Sequence, residues 1–166
     1  MMILKMSAAL VLLVAAVHSA GAQEPLVTGK SLSPELALDL AKAALKDCQQ
    51  RGFQVAVSVV DRSGVVQVTL RDRFAGPHTP PTALGKAWTA ATFRTGTTEL
   101  HAISQPGMMQ AGIRNLPGVV AIGGGMIVQS SGALVGAIGV SGAPGGDADD
   151  LCAKAGIDAI RDKLDF

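Results

Sequence analysis

Two imidazoles and two thiols are the side chains beyond residue 22 best suited to do chemistry. His78 stands in the loop Ala75-Gly76-Pro77-His78-Thr79 and His101 in a helical stretch; either ring could ligate iron or carry a proton near neutral pH. A lone histidine is more often a surface or satisfied polar residue. The Gly/Pro loop around His78 makes it the stronger candidate, because binding residues concentrate on loops. Met108 and Met109 could supply a thioether or pack on a flat ligand, although plain gap-filling is the commoner use of methionine. Gly139, Gly142, Gly145 and Gly146 follow a strand-like run and precede a helix, where free backbone N–H groups could receive an anion. No GxxxxGK[ST] is present and Asp147, Asp149 and Asp150 would repel a phosphate, so an ordinary tight loop is the favoured reading. The glycines at 123–125 are a weaker case still. No metal-ligand spacing, G-x-S-x-G elbow or nucleophile–base signature occurs, so the residues name no catalytic group and leave open whether the protein is an enzyme.

Cys48 and Cys152 are the two cysteines, and their reading depends on compartment. Residues 1–22 carry Lys5 ahead of an apolar run from Ala8 to Val17 and then Ala20-Gly21-Ala22, the three parts of a secretory signal. The run is shorter than the roughly 20 residues of a membrane-spanning helix, and no later stretch reaches that length. Cleavage before Gln23 would leave 166 − 22 = 144 residues, one ordinary domain destined for the periplasm or secretion. In that oxidising setting a Cys48–Cys152 disulfide is the preferred reading, with two separate buried thiols as the alternative.

The elements that must position these groups follow from periodicity. Residues 23–32 read as a short leader and residues 33–166 as the domain. Ser33-Pro34-Glu35 supplies an N-cap hydroxyl, a first-turn proline and an acid; Ala37, Ala41, Ala44 and Cys48 then recur at helical spacing up to Gly52. From Gln54 the period becomes two: Val55, Val57 and Val59, a turn at Asp61-Arg62-Ser63-Gly64, then Val66, Val68 and Leu70 predict a hairpin. Residues 71–81, with four Gly or Pro, read as irregular, and 82–94 as a helix carrying the single tryptophan, Trp88. Short helical turns are expected over 97–115. A second hairpin runs over 125–128 and 133–140 about the turn 129–132. A last amphipathic helix begins near Asp147, with Ala153, Ile157, Ile160 and Leu164 as its stripe. This order gives an α/β (α+β) layout, an antiparallel sheet covered by helices, in which the terminal helices on one face would bring Cys48 near Cys152. The net charge of +1 offers no field for nucleic acid, and 3% aromatic residues with no Tyr argue against stacking on bases.

Four stretches, Gly85-Lys86-Ala87-Trp88-Thr89-Ala90, Gly123-Gly124-Gly125-Met126-Ile127, Gly136-Ala137-Ile138-Gly139-Val140-Ser141-Gly142 and Asp150-Leu151-Cys152-Ala153-Lys154-Ala155-Gly156, resemble the successive motifs of the GlcG/HbpS family, related to the C-terminal domain of PduO-type proteins. Their order and spacing cover nearly the whole of the domain. The resemblance implies a profilin-like fold with a central antiparallel sheet of about five strands, homo-oligomers, and haem or a related tetrapyrrole as ligand. It suggests His78 as a candidate haem-iron ligand, with Thr79 and Lys86 beside it. It leaves three functions to separate: haem or iron storage, sensing or scavenging; an enzyme that degrades haem or acts on a small oxidised metabolite; and a structural oligomer accompanying a periplasmic oxidoreductase.

Overall fold

The hydroxyl of Ser33 accepts a hydrogen bond from the Leu36 N–H at 3.2 Å, and with Pro34 in the first turn it starts helix α1, Pro34–Gln50. The computed structural model describes residues 26–164; the expected signal at 1–22 and the first residues of the leader lie outside them. α1 buries Ala37, Leu40, Ala41, Ala44 and Cys48, the stripe its spacing predicts. It ends where Gly52 takes φ 84° and Phe53 N–H turns back to the Cys48 carbonyl.

The hairpin β1, Ala56–Asp61, and β2, Val66–Arg71, follows. The Asp61 carboxylate shapes its turn by accepting from the Ser63 and Val65 N–H groups at 2.8 and 2.9 Å. Helix α2 covers Thr79–Phe93, α3 covers Thr97–Ile103, and a 3-10 turn spans Ala111–Asn115. The second hairpin, β3 (Gly125–Ser130) and β4 (Ala133–Ser141), leads into α4, Gly146–Ala159, and a last 3-10 turn at Arg161–Lys163. Among the described residues no helix is long and apolar enough to cross a membrane.

The strands form one antiparallel sheet in the order β2-β1-β4-β3. Four strands, not about five, make up the sheet among the described residues; the leader contributes one backbone bond to it, Leu32 N–H to the Val135 carbonyl at 3.1 Å. α1 and α4 cover one face over Val57, Val59, Val128, Ile138 and Val140, while α2 covers the other over Val60 and Ala137. β1 is therefore buried on both faces, although its sequence alternates.

One feature differs from the sequence-based expectation at residues 71–81. α2 begins at Thr79, so Pro80 and Pro81 lie inside its first turn. Proline is tolerated there because first-turn N–H groups have no intrahelical acceptor. The other helical faces come unusually close to the backbone. A Cβ on Gly139 would lie 2.0 Å from the Ala83 carbonyl oxygen and 2.6 Å from the Ala87 nitrogen, and one on Gly156 would lie 2.9 Å from the Ala44 Cβ. Glycine in β4 seats α2 on the sheet, and glycine in α4 seats it on α1. Beside that second contact, Cys48 and Cys152 are joined in a disulfide with Cα atoms 5.4 Å apart.

Candidate functional site

The start of α2 faces the loop between β4 and α4 across an open cleft of about 480 Å³. His78, Thr79 and Lys86 all line it, with Ile122 and residues 141–146 opposite and Asp149 at its base. The fold thus brings together three residues that the sequence suggested, although they meet it in different ways.

His78 is exposed at the N-cap of α2, and among the described residues its ring makes no hydrogen bond. Its backbone carbonyl accepts from the Thr82 hydroxyl at 2.7 Å and from the Thr82 N–H at 3.1 Å, so the helix start fixes the main chain while the imidazole stays available. Thr79 is 1% exposed, and its hydroxyl donates to the Gly76 carbonyl at 2.8 Å. It holds the loop closed under His78.

Lys86 lines the cleft from a buried position. It is 2% exposed, and its ammonium donates to Asp149 Oδ2 at 2.7 Å and to the Val140 carbonyl at 2.9 Å. The other Asp149 oxygen accepts from the Ala143 N–H at 3.1 Å. Burial pushes the Asp149 carboxyl above the ordinary carboxylate range, more strongly than the Lys86 ammonium and the Ala143 N–H pull it down. The pair ties α2, β4 and α4 together beneath the cleft, and its donors and acceptors are spent on one another.

The acids near the start of α4 also bind the chain itself. Asp150 accepts from the Gly124 N–H at 2.6 Å and from the Thr98 hydroxyl, and the Gly125 N–H donates to the Thr97 hydroxyl at 2.8 Å, so two of the N–H groups at 123–125 are already taken by side chains. Sequence spacing could not reveal this, because the partners are 26 and 52 residues apart. For Lys86 a signal was present. A lysine among the buried Ala83, Ala87 and Ala90 of α2 requires a counter-charge, and the three aspartates of 147–150 supply the candidates.

His101 is placed on α3, beside a smaller cleft of about 220 Å³ lined with Thr98, Ile122, Gly123, Gly146 and Asp147. Its Nδ1 lies 3.0 Å from the Ala121 carbonyl oxygen and 3.3 Å from an Arg114 guanidinium nitrogen, so α3 holds the ring against both the 121 main chain and Arg114. Ile122 and Gly146 border both clefts, so the two histidines flank neighbouring surfaces. Met108 and Met109 are 53% and 94% exposed and line neither cleft. Trp88 faces a separate apolar groove with Gly64, Leu84 and Gly118. Among the described residues no three His, Cys, Asp or Glu side chains gather as a metal site, and the main cleft offers one unspent imidazole, its Asp149 carboxylate being held by Lys86 and the Ala143 N–H. Its chemistry is that of a ligand or proton acceptor.

A four-stranded antiparallel sheet with helices on both faces and a surface cleft beside a short Gly/Pro loop defines a small α/β binding domain. The chain belongs to the HbpS-like family, described as haem degrading proteins, whose pattern matches residues 32–158. It is 40% identical over 105 residues to the corrinoid adenosyltransferase PduO of Salmonella typhimurium, covering 62% of this chain and 31% of PduO. This chain therefore spans about a third of the length of that curated relative. Among solved structures, a double mutant of Streptomyces reticuli HbpS superposes with a TM-score of 0.78 at 36% identity, covering 88% of this chain and 98% of HbpS. A PduOC:haem complex superposes with a TM-score of 0.73 at 35% identity, covering 78% of this chain and 95% of that one.

Proposed function

We propose that this protein is an exported haem-binding protein that stores, senses or scavenges haem, using the cleft between the start of α2 and the 141–146 loop. The observation that carries the reading is the exposed His78 imidazole, without a hydrogen bond among the described residues, at the mouth of a cleft of about 480 Å³. The family description and the haem complex of the PduOC relative supply the ligand class.

The residues fit a flat, half-exposed ligand. Ile122, Ala143 and Pro144 give the cleft an apolar wall. His78 would offer an imidazole nitrogen to the iron, Thr79 fixes the loop that carries it, and Lys86 holds the floor through Asp149. Bound haem supplies an iron centre that takes an imidazole ligand and can activate oxygen, while the protein supplies position and access. The Cys48–Cys152 disulfide suits an oxidising compartment, in keeping with a signal over residues 1–22 and a periplasmic or secreted location. Assembly into homo-oligomers belongs to the same proposal.

Hemin titrated into the mature protein should give a saturable Soret shift that His78→Ala weakens. Absence of a saturable shift in the wild type would end the haem reading, and equal binding by both proteins would end the ligand assignment. The family description favours a second reading, haem breakdown. In that case ascorbate and oxygen bleach the Soret band and release iron with an open-chain tetrapyrrole; an unchanged spectrum leaves binding alone.

A further inference from the structure

Among the described residues two non-glycine residues have positive φ, Arg94 at 53° and Ser131 at 49°. Both line one cleft of about 540 Å³, which shares no lining residue with the His78 cleft. Arg94 is the left-handed C-cap of α2, where glycine is the usual residue. Ser131 precedes Gly132, φ 79°, in the tight turn between β3 and β4, where asparagine before glycine is usual. Side chains kept where the backbone favours smaller or different residues point to a use for those side chains.

What they share is a cationic wall. Arg62, in the turn between β1 and β2, lines the cleft with Arg94. Among the described residues no acidic side chain lines it. Among the described residues neither guanidinium is hydrogen-bonded or ion-paired. The nearby acids are committed elsewhere or stand off: Asp61 shapes its own turn, Asp150 holds Gly124 and Thr98, and Glu99, which borders a neighbouring cleft with Arg94, forms no ion pair with it. The hydroxyls of Thr28 and Ser131 complete the polar lining.

We infer that this cleft binds a small organic anion carrying at least two separate carboxylates, one facing Arg62 and one facing Arg94. A guanidinium presents parallel N–H groups that match a planar carboxylate. The two forks belong to different elements, so a single inorganic ion does not use both as well as a ligand that spans the cleft. This binding is independent of haem.

Citrate, inorganic phosphate and acetate titrated calorimetrically into the mature protein at low salt provide the test. Citrate should bind saturably and at least about tenfold more tightly than acetate or phosphate, weakening as salt screens the arginines. Arg62→Ala should lower the citrate affinity about tenfold or more without changing the melting temperature. Arg94→Gly should lower it similarly while raising the melting temperature, because glycine relieves the left-handed backbone. Opposite movement of affinity and stability separates lost binding from lost folding. The assignment is overturned if citrate binds no better than acetate, if phosphate binds as tightly as citrate, or if either arginine variant binds citrate like the wild type. Hemin binding should be the same in all three proteins.

Discussion

Removing the ammonium of Lys86 would leave Asp149 buried without its cation, the arrangement that costs most among polar substitutions. Both side chains are under 5% exposed, and breaking such a pair from one side typically costs about 3–5 kcal/mol. Lys86→Met should lower the unfolding free energy extrapolated from urea titration by that amount, seen as a lower midpoint with little change in the slope. A carbon-detected NMR titration should find the wild-type Asp149 carboxyl above the ordinary range and higher still in Lys86→Met, since the ammonium is the main group pulling it down. An Asp149 midpoint in the ordinary range would show that the burial is relieved in solution. The sign of its pH linkage follows from the rise. The folded chain holds the proton more tightly, so this contribution to stability is full below the unfolded carboxyl pKa and is lost as pH rises through the folded value. Asp39, lowered by its hydrogen bond to Lys163, and Asp158, lowered by those to Lys154 and Arg161, work the other way. Their contributions are present above the unfolded pKa and lost as pH falls through the folded values. At this scale the sequence identified which residues approach the cleft but not their state. His78 could be recognised from its loop, whereas the burial of Lys86 and the carbonyl partner of His101 depend on residues 63 and 20 positions away.

Between elements, small residues decide how close α2 can come to the sheet. Gly139→Ala directs a methyl at the Ala83 carbonyl oxygen, 2.0 Å away, and the neighbouring atoms are backbone that cannot rotate aside. Overpacking of a core commonly costs about 1–3 kcal/mol, and Gly139→Ala should reach the upper end, read as a fall in the thermal midpoint. A loss below about 0.5 kcal/mol would mean that α2 is not seated on β4 as described. Because α2 also carries His78 and Lys86, the same substitution should loosen the cleft and weaken hemin binding. Periodicity was enough to find α1, both hairpins and the body of α4, because each has its own cap, turn or stripe, but Ile160 and Leu164 of the predicted stripe lie past the end of α4 and flank the last 3-10 turn. It missed the start of α2, since Pro80 and Pro81 break helices in every position except the first turn they occupy here. Its two hairpins already gave the four strands of the sheet, where the resemblance implied about five. The Gly-rich motif 136–142 read as a strand, but its reason, room for a helix, belongs to the packing of two elements.

For the molecule as a whole, compartment and stability meet in the Cys48–Cys152 bond. It joins α1 to α4 across 104 residues of sequence, and closing a loop of that length stabilises by about 4–5 kcal/mol in the chain-entropy model. The helices it connects already pack through Ala44 and Gly156, so the reduced chain should fold to the same architecture with less reserve. This makes export testable through stability. Full-length protein directed to an oxidising compartment should yield a chain beginning at Gln23, measurable by mass, with no titratable thiol after unfolding. The same 23–166 segment made in a reducing cytosol should show two thiols and a lower melting temperature. If the bond is the cause, mild oxidation of the cytosolic product should restore the higher value, and Cys48→Ala with Cys152→Ala should remove the difference between the preparations. An intact residue 1–22 segment on the exported protein would overturn the signal assignment. Two free thiols on correctly processed protein would overturn the bond while leaving export standing.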